Sequence, residues 1–164
     1  MNWKFGDNIN TDLITPGRYN VTTDPEELAK IAFVEYRPEF AKNVKPGDFI
    51  VAGANFGCGS SRETAITSLK HCHLTAILAA SFARIFYRNA MNAGLVLGIC
   101  DTASIEESDT LELDIEGQTV RNVTQGTELA VDISPMMLKL HAEGGIIPFL
   151  KKNGLEALDA LRRL

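Results

Sequence analysis

Three short apolar runs, separated by helix-like stretches, constrain this chain more than any other feature of it. Phe49-Ile50-Val51-Ala52-Gly53, Thr75-Ala76-Ile77-Leu78-Ala79-Ala80 and Leu95 to Ile99 show almost no polar alternation. A strand with one wet face alternates; a strand covered on both faces does not. Between the runs lie Ser60 to about His71 and Phe82 to Ala93, the latter with Phe82, Ile85, Phe86 and Ala90 at helical spacing. Gly94 stands where a left-handed helix stop belongs. The order strand–helix–strand–helix–strand predicts parallel pairing through right-handed crossovers.

The flanks have another character. Trp3 to Phe5 suits a short strand, and Gly6-Asp7-Asn8-Ile9-Asn10-Thr11-Asp12 is dense in turn-forming residues. Asp24-Pro25-Glu26-Glu27 is a capped helix start, with the helix predicted to reach about Phe33. Thr110 to Glu116 alternates strictly, Gly117-Gln118 suits a hairpin turn, and Thr119 to Val123 and Thr127 to Ile133 follow as strands. Pro135 opens a helix to about Ala142, ended by Gly144-Gly145, and Leu155 to Leu164 reads as an amphipathic helix. The expected fold is a single α/β domain over residues 1–164, a parallel βαβαβ core with added antiparallel strands.

Composition agrees and removes several functions. A chain of 164 residues matches roughly 150 per domain. With 45% apolar and 23% charged residues it is neither disordered nor a coiled coil. A net charge of -5 gives no electrostatic footprint for nucleic acid or anionic membrane. No apolar run reaches membrane-spanning length, and Met1-Asn2-Trp3-Lys4-Phe5-Gly6-Asp7 lacks the apolar stretch of a secretion signal. Cys58, Cys72 and Cys100 are odd in number and widely spaced, with neither zinc spacing nor a disulfide framework, so the expected location is a reducing cytoplasm.

Chemistry concentrates in Gly57-Cys58-Gly59-Ser60-Ser61-Arg62-Glu63, between a predicted parallel strand and a helix. Ligands of open α/β sheets favour the carboxyl ends of strands, and a helix N-terminus favours anions. Arg62 adds a planar double donor for carboxylate or phosphate. A Walker loop would need Lys and Ser or Thr after its last Gly, and a dinucleotide fingerprint would need Gly at 62, so a small carboxylate fits better than a nucleotide. The competing structural reading makes Ser60 a helix cap, three residues ahead of Glu63 in capping-box spacing, with Arg62 solvated. Asn10-Thr11-Asp12 is a second candidate, otherwise an Asx-rich turn, and Tyr19-Asn20-Val21-Thr22 a third, an exposed loop without evident chemistry. His71, His73 and His141 are scattered and form no metal site. Cys58 has no base beside it in sequence and reads as a small filler rather than a reactive thiol.

Three ordered segments carry a resemblance that spans nearly the whole chain. They are Gly6 to Asp12, Gly53-Ala54-Asn55-Phe56-Gly57-Cys58-Gly59-Ser60-Ser61-Arg62-Glu63, and Ser81-Phe82-Ala83-Arg84-Ile85-Phe86-Tyr87-Arg88-Asn89-Ala90. Together they resemble the short form of the 3-isopropylmalate dehydratase small subunits, in the aconitase family. The resemblance implies a swivelling β/β/α three-layer domain and a separate large subunit carrying a [4Fe-4S] cluster, in a heterodimer or heterotetramer, with no cofactor on this chain. It implies a hydro-lyase that isomerises a 2-hydroxy di- or tricarboxylate by removing and re-adding water. Residue by residue, it implies Ser60 as the base that takes the C–H proton and Asp12 as the acid that handles the hydroxyl proton. It implies Ser61 and Arg62 as carboxylate binders and Tyr19, Asn20, Val21 and Thr22 as the substrate loop. Thr64 stands where the family often has His, Ile66 where Pro is common, and Val21 where isopropylmalate enzymes carry a loop arginine. Isopropylmalate, of leucine biosynthesis, is the leading substrate; homoaconitate, dimethylmalate and methylmalate relatives, and a non-catalytic carboxylate-binding module, are the alternatives.

Overall fold

The computed structural model describes residues 1–164. Its centre is a four-stranded, wholly parallel sheet in the order β1-β2-β3-β4: Asn2–Lys4, Phe49–Ala52, Ala76–Ala79 and Leu97–Ile99. The three apolar runs of the sequence are β2, β3 and β4, and β2 and β3 are buried at every residue. β1 joins the other edge, with Trp3 opposite Ile50. Continuous apolar sequence is what a parallel sheet with both faces covered requires.

Helices flank the sheet. The N-terminal half supplies α1 (Thr11–Ile14), α2 (Pro25–Lys30) and α3 (Pro38–Asn43). The crossovers are α4 (Glu63–His71) and α5 (Arg84–Ala93), and α6 (Pro135–Ala142), α7 (Ile146–Asn153) and α8 (Ala157–Leu161) complete the chain. Asp24 caps α2 as its position predicts, accepting from the Glu27 amide at 2.9 Å. α5 ends at Gly94 in the left-handed conformation. No helix is long and apolar enough to cross a membrane.

A second, antiparallel sheet consists of β5 (Leu111–Asp114), β6 (Thr119–Asn122) and β7 (Thr127–Ala130). Leu111 and Val120 are buried in the main core, which is the inward half of the alternation. Asp109 ties this sheet to its surroundings. Its carboxylate accepts from the Glu106 amide at 2.8 Å, Asn122 at 2.7 Å and Gln125 at 2.7 Å, while its carbonyl accepts from Asn2 on β1 at 2.9 Å. An aromatic cluster of Trp3, Phe5, Phe33 and Phe40 closes the β1 edge, with Phe5 stacked on Phe33 at 4.4 Å.

Several expectations need correction. β5 stops at Asp114, not Glu116. The Asp114 carboxylate accepts from the Gly117 amide at 2.9 Å, which makes the connection a four-residue turn through Gln118. β7 ends at Ala130 because the chain leaves for the other sheet, where Asp132 pairs with Ile99. Helices α3 and α7 were not expected from the sequence. Ile85 does not join Phe86 and Ala90 in the core: it is 48% exposed, while they are buried.

Candidate active site

The loops that follow β1, β2 and β3 meet at the carboxyl end of the parallel sheet, and they are the three segments singled out in the sequence. Backbone bonds extend the sheet's parallel pairing into them. The Gly57 amide donates to Ile9 O at 2.7 Å, Thr11 to Cys58 O at 2.9 Å, and Ala83 to Phe56 O at 2.9 Å. Side chains lock the same seam: Asn55 donates to Asn8 at 2.9 Å, and the Asn55 amide donates to Ser81 Oγ at 2.8 Å. Gly57 is required here on two counts. Its φ is +78°, and a Cβ would run into the Phe86 ring, so glycine is what lets α5 seat against the loop.

Ser60 does not cap a helix. Thr11 Oγ1, at the start of α1, donates to Ser60 O at 2.9 Å, and Arg62 is extended at φ −109°, ψ 107°. α4 therefore begins only at Glu63, with no side-chain cap. The tertiary bond from Thr11 outweighs the local capping signal. As a result Ser60 and Ser61 lie exposed on a loop, their hydroxyls free of any capping duty. The amide hydrogens of Ser60, Ser61 and Arg62 find no acceptor in the chain.

These residues line an open cleft of about 540 Å³, together with Thr11, Ile66, Ile85, Arg84, Arg88 and Asn89. Arg62 is the most fixed of its cations. It pairs with Asp12 on α1, its Nε is shut from solvent without an acceptor, and its Nη1 would stand 3.3 Å from a Cβ placed on Gly17. Asp12 thus reaches the site through Arg62 and is not itself a cleft wall. Thr64 sits behind, its hydroxyl 3.4 Å from that of Thr15.

Tyr19, Asn20, Val21 and Thr22 do not line the cleft. They continue from the 3-10 turn Gly17–Tyr19 that packs under Arg62, and Val21 is 89% exposed. The sequence reading missed Arg84, Arg88 and Asn89 as site residues. Asn89 donates to Ser61 Oγ at 3.2 Å, and the i, i+4 spacing of the arginines was the available signal.

No three His, Cys, Asp or Glu side chains gather closely enough to hold a metal ion. Cys72 and Cys100 are buried, and burial pushes their thiols up to about 12 and about 11 respectively, far from the thiolate a metal needs. Cys58 is only half-buried, less enclosed than a core filler. His71 and His141 each bond a backbone carbonyl at 2.8 Å.

Residues 6–99 match the family described as the aconitase C-terminal domain. The 3-isopropylmalate dehydratase small subunit 1 of Archaeoglobus fulgidus is 52% identical over 91% of this chain and 94% of its own length. This chain belongs to the family of 3-isopropylmalate dehydratase small subunits, built on the aconitase C-terminal domain. The isopropylmalate/citramalate isomerase small subunit of Methanocaldococcus jannaschii is 48% identical over 94% of each chain. The crystal structure of 3-isopropylmalate dehydratase (leuD) from the same organism superposes with a TM-score of 0.90 at 42% identity, covering 97% of this chain and 96% of that one. The expected α/β class, with its parallel core and antiparallel addition, stands, and the chain is a subunit of a hydro-lyase.

Proposed function

We propose that this chain forms one swivelling domain that works with a large, cluster-bearing subunit to interconvert 2- and 3-isopropylmalate by dehydration and rehydration, a step of leucine biosynthesis. Names of relatives at about half identity support the substrate, one of them adding citramalate. The observation that carries the reading is an exposed serine in a cleft whose charged lining residues are all arginines.

Ser60 takes the proton from the substrate carbon. A serine hydroxyl ionises far above neutrality, so the base needs positive potential around it. Arg62, Arg84 and Arg88 and the unpaired amides of residues 60–62 supply it, in place before the reaction begins. Ser61 and Arg62 hold a substrate carboxylate, with Arg62 steadied by Asp12. Asp12 handles the proton of the hydroxyl. A [4Fe-4S] cluster held by the partner subunit would supply Lewis acidity toward the leaving hydroxyl; the cysteines of this chain, two of them buried and raised, do not suit it. The cleft is half of a site, open where a second subunit would close it, in a heterodimer or heterotetramer.

The test is Ser60→Ala in the assembled enzyme. Turnover should fall by about 100-fold or more, as for loss of a general base. Because Ser60 caps nothing, the thermal midpoint should stay where it is. Near-normal turnover in the variant would remove Ser60 from the chemistry.

A further inference from the structure

The α5 face of the cleft carries a charge arrangement that the fold alone does not account for. Arg84 and Arg88 stand four residues apart, one turn of helix, and both are exposed on the cleft wall. Arg18, Arg37, Arg62, Arg121 and Arg162 each meet a carboxylate; Arg84, Arg88 and the terminal Arg163 meet none, and of these three only Arg84 and Arg88 line the cleft. They also occupy the first half of α5, where the helix end is positive and acids are the stabilising residues, yet its first turn has no acid and its N-cap no side-chain bond. Two cations therefore sit against the helix dipole and opposite a third cation, Arg62, with nothing on the chain to neutralise them. Asn89 donates to Ser61 Oγ, which fixes this face relative to the serine loop. Ile85, half exposed, lies between the two arginines in sequence and on the same wall.

We infer that Arg84 and Arg88 form a second anion-binding pole, which takes the substrate carboxylate that Arg62 does not, with Ile85 against the alkyl substituent between the two. The inference rests on the reading of the cleft as a hydroxy-carboxylate site and narrows it. The ligand class is a dicarboxylate with a short apolar branch. A double guanidinium pole also favours a planar carboxylate over a spherical anion.

The experiment uses Arg84→Gln, Arg88→Gln and the double variant, read in two ways. In the assembled enzyme, KM for isopropylmalate should rise about 10- to 100-fold per arginine, with kcat changed far less, because a carboxylate contact held throughout the reaction is uniform binding. In the full chain without its partner, malonate should raise the thermal midpoint more than acetate at matched ionic strength, and the double variant should lose that rise. The variants' own midpoint should equal or exceed that of the unsubstituted chain, since like charges have been removed from a positive helix end. An unchanged KM together with weaker subunit association would overturn the inference, since the arginines would then serve the partner interface. A lowered midpoint without ligand would overturn it too, by giving them a structural duty. If malonate stabilises the chain through these arginines but the assembled wild-type enzyme turns over no isopropylmalate, the pole stands and the proposed reaction falls.

Discussion

Arg62 and Asp12 are joined by an ion pair that bridges the loop after β2 and the short helix α1. Only Nη2 of the guanidinium is used, so Nη1 and Nε remain uncommitted. The pair is partly solvated, with side-chain exposures of 28% and 57%, and a pair of that kind is worth under about 1 kcal/mol to the fold. Its value lies in position. Asp12→Asn should leave the thermal midpoint within a few degrees of the original while turnover of the assembled enzyme falls by about 100-fold or more, the range for the proton-transfer role proposed for it. A drop in activity that tracked unfolding would contradict that division.

Gly57 separates packing from chemistry at the same site. In Gly57→Ala the new residue keeps an unfavourable positive φ and drives its methyl into Phe86. Together these should cost about 2–5 kcal/mol, seen as a lower urea midpoint with an unchanged slope. Ser60→Ala, three residues away, should do the reverse: no loss of stability, large loss of turnover.

The parallel core was legible because a continuous apolar run has few uses in a chain of this size, and β2, β3 and β4 lie within the three runs. Ser60, Ser61 and Arg62 were legible as a candidate site from residue type and place. The cap assigned to Ser60 was not, because a Ser-x-x-Glu spacing is a local signal and the bond that overrides it comes from Thr11, 49 residues earlier. Ile85 was misjudged by periodicity: it lies one position from Phe86, about 100° around the helix, and that turn carries it from core to cleft. The same rotation hides Arg84 and Arg88 from a reading that follows only the apolar stripe. Helix α3 is only six residues long, and α7 begins directly after the Gly144-Gly145 pair, where a stop was the stronger sign.

Substrate choice should respond to Val21. The side chain is 89% exposed, in a loop that continues from the turn under Arg62. Val21→Arg brings a cation toward a cleft already rich in them. The ratio of specificity constants between a substrate with an extra carboxylate and isopropylmalate should shift by roughly 10- to 200-fold toward the former, the scale of one pocket contact. Stability should change by less than about 0.5 kcal/mol, since nothing in the core is touched. An unchanged ratio across that pair would remove the loop from the specificity argument.

Acid should destabilise the chain through Asp48 and Asp109. Burial pushes the Asp48 carboxyl up, but Trp3 Nε1 and the Lys45 amide, each donating at 3.0 Å, bring it below its ordinary value. Asp109 is lowered by the Glu106 amide and then by Asn122 and Gln125. A carboxyl held lower in the folded state than in the unfolded chain stabilises the fold at any pH above the unfolded value. That contribution is lost as pH falls through the ordinary carboxylate range toward the folded one. The thermal midpoint should therefore be flat through neutrality and decline below about pH 4, the unperturbed aspartate range. Asp48→Asn and Asp109→Asn should each lower the neutral plateau and flatten the acid limb, because the unfolded chain then gains no proton that the fold resists. Asp48 bonds the Trp3 indole, so its variant should also shift tryptophan fluorescence at neutral pH, and Asp109→Asn should not. Equal acid limbs in variants and parent would place the sensitive carboxylates elsewhere in the fold.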